Sequence, residues 1–208
     1  MRNPIQLIGL AALVAATVSC GDVVRQGSSP VFLVIDQLQG IRGAVSAGAP
    51  SSTLTSDVIT NVTTPDPCSA ANPCPTIFGD SGQAILRAPL KDIGATTALS
   101  PTSNNEVTIN RVHVEYIRAD GRTTEGVDVP YAIDSAITGT ITAGGTLTTG
   151  FELVRNVAKR ESPLVQLKSG NNILSIIARV TFYGVDRVGN AIQATGQIQI
   201  EFGNFGDI

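Results

Sequence analysis

The chain has 208 residues, 42% hydrophobic and 15% charged, with a formal net charge of −3. The mild acidity, and the lack of any Lys/Arg cluster beyond the "KRE" of residues 159–161, remove the electrostatic footprint of a nucleic-acid binder, so no such partner is expected. The length suits one domain, and 21 glycines with abundant Thr and Val but no tryptophan point to short strands joined by turns.

The first residues, MRNPIQLIGLAALVAA, carry one positive charge at Arg2 and then an apolar stretch from Ile5 to Ala16. This is the pattern of a secretory signal peptide. The stretch falls short of the roughly 20 apolar residues that a membrane-spanning helix needs. Read on to the cysteine, "LVAATVSC" resembles the lipobox of bacterial lipoproteins, with Ser19 as the small residue and Cys20 as the acceptor of the lipid. Thr17 departs from that pattern, standing where the family usually has Leu. The resemblance implies a signal peptide over residues 1–19, lipidation of Cys20 and a membrane partner reached through the N-terminal lipid. Ordinary signal cleavage nearby would instead leave Cys20 as a free thiol. Residues 20–30, "CGDVVRQGSSP", then read as a tether leading to a domain spanning 31–208.

The first expected strand is "VFLVIDQL" (31–38). A loop-rich insertion over about 43–80 follows, dominated up to residue 76 by Ala, Gly, Ser, Thr and Pro and carrying one short strand, "SDVITNV" (56–62). It holds Cys68 and Cys74, which in an exported chain are expected to pair as a disulfide. Zinc is disfavoured because about four ligands are needed and the chain has a single histidine, His113. A redox dithiol would want two intervening residues at the start of a helix, whereas five intervene here among prolines. Pairing Cys68 with Cys74 leaves Cys20 over, and lipidation gives that third cysteine a use.

Downstream, "QAILRAPL" (83–90) reads as a strand that Pro89 places near an edge or an end. In the run from Val107, the residues Val107 and Ile109 lie on one parity while Val112, Val114 and Tyr116 lie on the other, which predicts either a bulge near Asn110 or a segment covered on both sides. Asp120-Gly121 then suggests a hairpin within residues 112–129. Further strands are expected at 136–142 and 146–154, and no more than a turn or two of helix in "RNVAKRESPLVQL" (155–167), which Pro163 interrupts. The clearest alternation lies in "NILSIIARVTFY" (172–183) and "AIQATGQIQIEF" (191–202), joined through a Gly-Asn turn. Their expected core residues are Ile176, Val180, Phe182, Ile192, Ile198 and Ile200. The tail carries Phe202 and Phe205, which could tuck the chain end against the domain.

Many short strands and almost no helix argue for an all-β fold, an antiparallel β-sandwich with a long disulfide-containing loop. The closing hairpin, "YGVDRVGNAIQATGQIQIEF", resembles the last two strands of bacterial immunoglobulin-like and fibronectin type III-like domains. The resemblance covers about the last 35 residues, and the family's tryptophan and inter-sheet disulfide are missing. It implies an immunoglobulin-like sandwich and an adhesion, spacing or recognition module at the cell surface.

Catalytic constellations are sparse. A Ser/His/Asp triad would have to use His113, which sits mid-strand between Arg111 and Glu115 and reads as a solvated or salt-bridged imidazole. No serine lies in a Gly-x-Ser-x-Gly elbow, and "TAGGT" and "FGNFGD" precede no helix that could cradle a phosphate. The carboxylates Glu106, Glu115, Asp120, Glu125, Asp128 and Asp134 cluster in sequence and could serve glycosidase chemistry or calcium, although solvated loop carboxylates are the commoner outcome. "NVT" at 61–63 fits a glycosylation acceptor, which a bacterial lipoprotein would rarely use. Two functions follow as expectations. The first is a non-enzymatic, lipid-anchored envelope module, at the outer membrane or cell surface, that binds an envelope protein or polysaccharide and needs no cofactor or metal. The alternative is an envelope carbohydrate-active enzyme or sugar-binding protein that uses the acidic loops.

Overall fold

The computed structural model describes residues 28–46, 48–91 and 100–205. The expected signal peptide, Cys20 and most of the tether lie outside them. The strands are β1 (Val34–Ile41), β2 (Thr53–Asp57), β3 (Thr60–Val62), β4 (Cys74–Thr76), β5 (Asp80–Arg87), β6 (Val107–Arg118), β7 (Ile133–Ile141), β8 (Thr146–Val154), β9 (Leu174–Asp186) and β10 (Ala191–Gly203). The helical elements of the described residues include short 3₁₀ turns, Ala158–Arg160 and Leu164–Lys168, with the second following Pro163 as expected. Three strands form one sheet in the order β1-β5-β8, curled into a half-barrel, and five form another in the order β2-β10-β9-β6-β7. β3 and β4 make a separate ribbon.

Period-two alternation builds the larger sheet. Along β10, Ile192, Ile198, Ile200 and Phe202 are buried while Gln193, Thr195, Gln197 and Gln199 face out. Ile176, Ala178, Val180 and Phe182 of β9 join them on the inner face, so all six core residues expected of this hairpin are buried. Each fully buried isoleucine contributes about 1.5–3 kcal/mol by leaving water. The turn is held by Asp186, whose carboxylate accepts the backbone N–H of Val188 (3.1 Å) and of Asn190 (2.8 Å) and the Asn190 side-chain amide (2.9 Å). Gly189 has φ +86°, a left-handed conformation that costs glycine nothing. Burial alone would raise the Asp186 carboxyl. The hydrogen bonds from Asn190, Ser29 and Val188 outweigh it and hold the group below the ordinary aspartate value.

The parity switch in β6 is a bulge. Val107 and Ile109 are buried, Val112, Val114 and Tyr116 are buried, and the register against β9 slips between Ile109 and Arg111, leaving Asn110 as the extra residue. The smaller sheet faces this surface with Ala84, Leu86, Phe151 and Leu153, and the two sheets share one core. Phe151 meets Phe182 edge-on across it, with ring centroids 5.4 Å apart. A second bulge, at the Asp80 end of the β5–β8 ladder, leaves Leu153 without a register partner, and its carbonyl accepts the Tyr116 hydroxyl at 2.7 Å. Burial pushes that phenol far above its ordinary range.

Several expected elements are redrawn by tertiary contacts. The strand read at 31–38 becomes β1, starting at Val34, because the opposing chain reaches Pro89, which has no N–H, and only an isolated bridge joins Val31 to Leu90. The segment 56–62 is two strands, since Asp57 Oδ1 accepts the Ile59 N–H (3.3 Å) and turns the chain between them. Residues 43–80 therefore hold β2, β3 and β4 rather than one short strand in a loop. The hairpin expected within 112–129 is not the one that forms. Gly121 reverses the chain (φ +89°), but Gly126 at φ +73° breaks the extended run, and β6 pairs instead with β7. The sheets are not wholly antiparallel, because β2 runs parallel to β10, entering the larger sheet after β1, which belongs to the other one.

Candidate functional site

β2, β5 and the 3₁₀ turn after β8 converge on the most unusual chemistry among the described residues. Asp80 opens β5 on the same parity as Ala84 and Leu86, so its carboxyl enters the interior with the apolar side chains. Lys159, in the turn Ala158–Arg160, meets it there: Nζ lies 2.8 Å from Asp80 Oδ2, and both side chains have zero exposure. The Ser56 hydroxyl donates to the same oxygen at 2.6 Å, and the Gly43 N–H donates to Oδ1 at 2.9 Å. Gly43 is a glycine by necessity, since a Cβ there would lie 1.9 Å from the Gly79 carbonyl oxygen. Lys159 Nζ also donates to the Asp57 carbonyl at 2.9 Å.

Asp57 continues the network outward. Its Oδ2 accepts the Thr60 hydroxyl and its Oδ1 accepts the Phe205 N–H, each at 3.3 Å, which ties the tail to β2 as the two phenylalanines suggested. Taking an ammonium and a carboxylate out of water costs several kcal/mol per ion, and the fold offsets this by giving every buried polar side-chain atom described here a partner. Zero exposure closes the pair to any external substrate. Sequence reasoning missed both residues, since it placed residue 80 in the loop-rich insertion and began the strand at 83, whereas β5 starts at Asp80. Lys159 was visible only as part of a charged triplet, but an aspartate on the apolar parity of a strand marks a buried charge that needs a cation.

Cys68 and Cys74 form a disulfide, with Cys74 on β4 opposite Val62 of β3. Cys20 lies outside the described residues. The acidic set does not converge. Glu106 pairs with Arg187, Glu115 with Arg179, and Asp134 with both Arg111 and His113. Asp120 and Asp128 share Arg118 and Arg122, while Glu125 accepts the Ala132 N–H at 2.9 Å. Among the described residues no three His, Cys, Asp or Glu side chains are placed to hold a metal ion. His113 Nδ1 lies 3.0 Å from Asp134 Oδ2, the salt-bridged surface placement expected of it.

Among the surface hollows of the described residues, two lie beside elements already introduced. One of about 310 Å³ lies among Tyr131, Arg155, Val157, Ala158 and Glu161, where Arg155 is already engaged with the carbonyls of Tyr131 and Ala132. The other, about 590 Å³, is lined by Leu33, Ile35, Leu38, Ala194 and Gly196, where β1 approaches β10 beyond the reach of the short β2. No helix among the described residues is long and apolar enough to cross a membrane. Comparison with protein-family models, with curated proteins and with solved structures finds no match to this chain.

Proposed function

We propose that this protein is a non-enzymatic module of the bacterial cell envelope, anchored to a membrane through lipid on Cys20 and built as an immunoglobulin-like β-sandwich. The observation that carries the reading is the use of the cysteines. Cys68 and Cys74 are consumed by their disulfide, so the third, Cys20, at the end of the apolar run Ile5–Ala16, is left with the lipid as its use. Each acyl methylene buried contributes about 0.8 kcal/mol, so more than one chain on a single residue makes anchoring stable without a spanning helix.

Two sheets sharing one core support the sandwich, and the domain would present its loops to an envelope protein or polysaccharide. The carbohydrate-active alternative draws no support from the acidic residues, because each is engaged by an arginine, by His113 or by a backbone amide. The test is expression of the full chain and of Cys20→Ser, followed by membrane fractionation and mass spectrometry of the mature N-terminus. The parent is expected in the membrane fraction with an acylated Cys20, and the variant in the soluble fraction. A variant that stays membrane-bound, or a soluble parent with an unmodified N-terminus, overturns the reading.

A further inference from the structure

We propose that the open half of the β10 edge is a docking site for an extended, uncharged segment of a partner protein, which adds a strand beside residues 193–197. β10 is paired with β9 over Ala191–Phe202, but on its other side β2 reaches only from Gln199 to Gly203. Backbone groups along a strand point alternately to its two sides. The Asn190 carbonyl accepts the Asp186 N–H on the β9 side, and the Gly203 carbonyl accepts the Val58 N–H on the β2 side. The even-numbered residues of β10 therefore bond to β9, and the odd-numbered ones point the other way. Gln193, Thr195 and Gln197 thus turn their N–H and C=O groups to the free edge, where no backbone group among the described residues meets them. The inference is independent of the lipid on Cys20. It selects a protein over a polysaccharide as the partner, because a peptide backbone supplies both donors and acceptors at strand spacing.

Two features separate this edge from an ordinary exposed strand. It lacks the usual protection: residues 191–200, AIQATGQIQI, contain no charge, no proline and no bulge, the devices that keep sheet edges from pairing. The free edge of β1, by contrast, is broken by a register slip at Asp36, whose carboxylate is paired with Arg87. The second feature is the hollow of about 590 Å³, lined by Ala194, Gly196 and Gln197 of β10 and by Leu33, Ile35 and Leu38. Ala194 and Gly196 share the inward parity of Ile192 and Ile198 but are small, so they leave room for the side chains of an added strand. In the antiparallel sense, the better bonded of the two, residues opposite Gln193, Thr195 and Gln197 lie on the outer face and those opposite Ala194 and Gly196 turn inward. The fitting segment therefore covers positions 193–197 with apolar side chains second and fourth, in the hollow, and uncharged polar ones first, third and fifth. Thr53, opposite Gln199, and the turn before Ala191 bound the window. They exclude β10 of a second copy, whose 13 residues would run into both.

Amide hydrogen exchange of the purified full chain, followed residue by residue by NMR, tests this with the blocked peptide acetyl-Thr-Val-Gln-Val-Thr-amide. Without peptide, the amides of Gln193, Thr195 and Gln197 are expected to exchange faster than those of Ala194 and Gly196, which are bonded to β9. With the peptide at about 5 mM the three edge amides should slow by about tenfold or more, and the amides of β7, at the far edge of the same sheet, should not change. Acetyl-Thr-Lys-Gln-Lys-Thr-amide, which would turn two ammonium groups into the hollow, should give no slowing. Unchanged exchange at the three edge amides overturns the proposal, as does equal slowing by the lysine peptide. Slowing that rises with protein concentration in the absence of peptide would assign the edge to a second copy and overturn it as well. The measurement needs no variant to fold.

Discussion

The β9–β10 hairpin and the node around Asp80 are both buried, yet they reach burial by opposite means. The hairpin puts Ile176, Val180, Ile198 and Ile200 on one face and leaves glutamines on the other, so its stability is spread over many small, non-directional contacts. The node places one ammonium and one carboxylate in the same interior, where each hydrogen bond has a specific partner from a distant part of the chain. Apolar burial therefore degrades gradually when one side chain is trimmed, whereas a buried charge loses its whole compensation when its partner is removed.

The largest effect that sharpens this contrast is expected from Lys159→Met. It leaves the Asp80 carboxylate in a dry site with only Ser56 and Gly43 as donors, and should cost about 3–5 kcal/mol in urea unfolding. Adding Asp80→Leu should restore much of that loss, since a hydrophobic pair avoids the stranded charge. A single variant as stable as the parent would show that the node contributes nothing beyond its apolar surroundings.

Within the hairpin the cost should follow the face. Ile200→Ala, at a fully buried position, should destabilise by roughly 2–5 kcal/mol. Gln197→Ala, exposed on the opposite side of the same strand, should change stability by less than about 0.5 kcal/mol. Equal losses on both faces would contradict one-sided burial.

The smallest effect concerns the hairpin's own polar exception, Asp186. Its carboxyl is held below the ordinary value, so it adds stability at pH above the unfolded value of 3.8. That contribution fades as the pH falls below 3.8 and is gone once the pH has passed below the folded value. In Asp186→Asn this component of acid sensitivity should disappear, which unfolding curves collected across the acid range would show. An unchanged acid profile would mean that the turn's hydrogen bonds do not depend on the carboxylate charge.

What the sequence determined by itself was whatever a local period could express. Alternation over Leu174–Phe182 and Ile192–Phe202 specified both strands and their buried faces, and the switch between Ile109 and Val112 marked where the regular pattern breaks, because side chains on a strand alternate with a period of two whatever the neighbours are; the register against β9 decided that the break is a bulge rather than burial on both sides. Cys68 and Cys74 were paired correctly for a similar reason, being close enough along the chain for the turn between them to bring them together. The pairing of β6 with β7, the parallel placement of β2 against β10 and the meeting of Lys159 with Asp80 were decided only in three dimensions. Each depends on which distant segment fills an open edge or neutralises a buried charge. Asp80 carried a local trace of this, as an acid on an apolar parity, but no local pattern distinguished Lys159 from a solvated lysine: what selects it is the free-energy cost of leaving that carboxylate alone in the core.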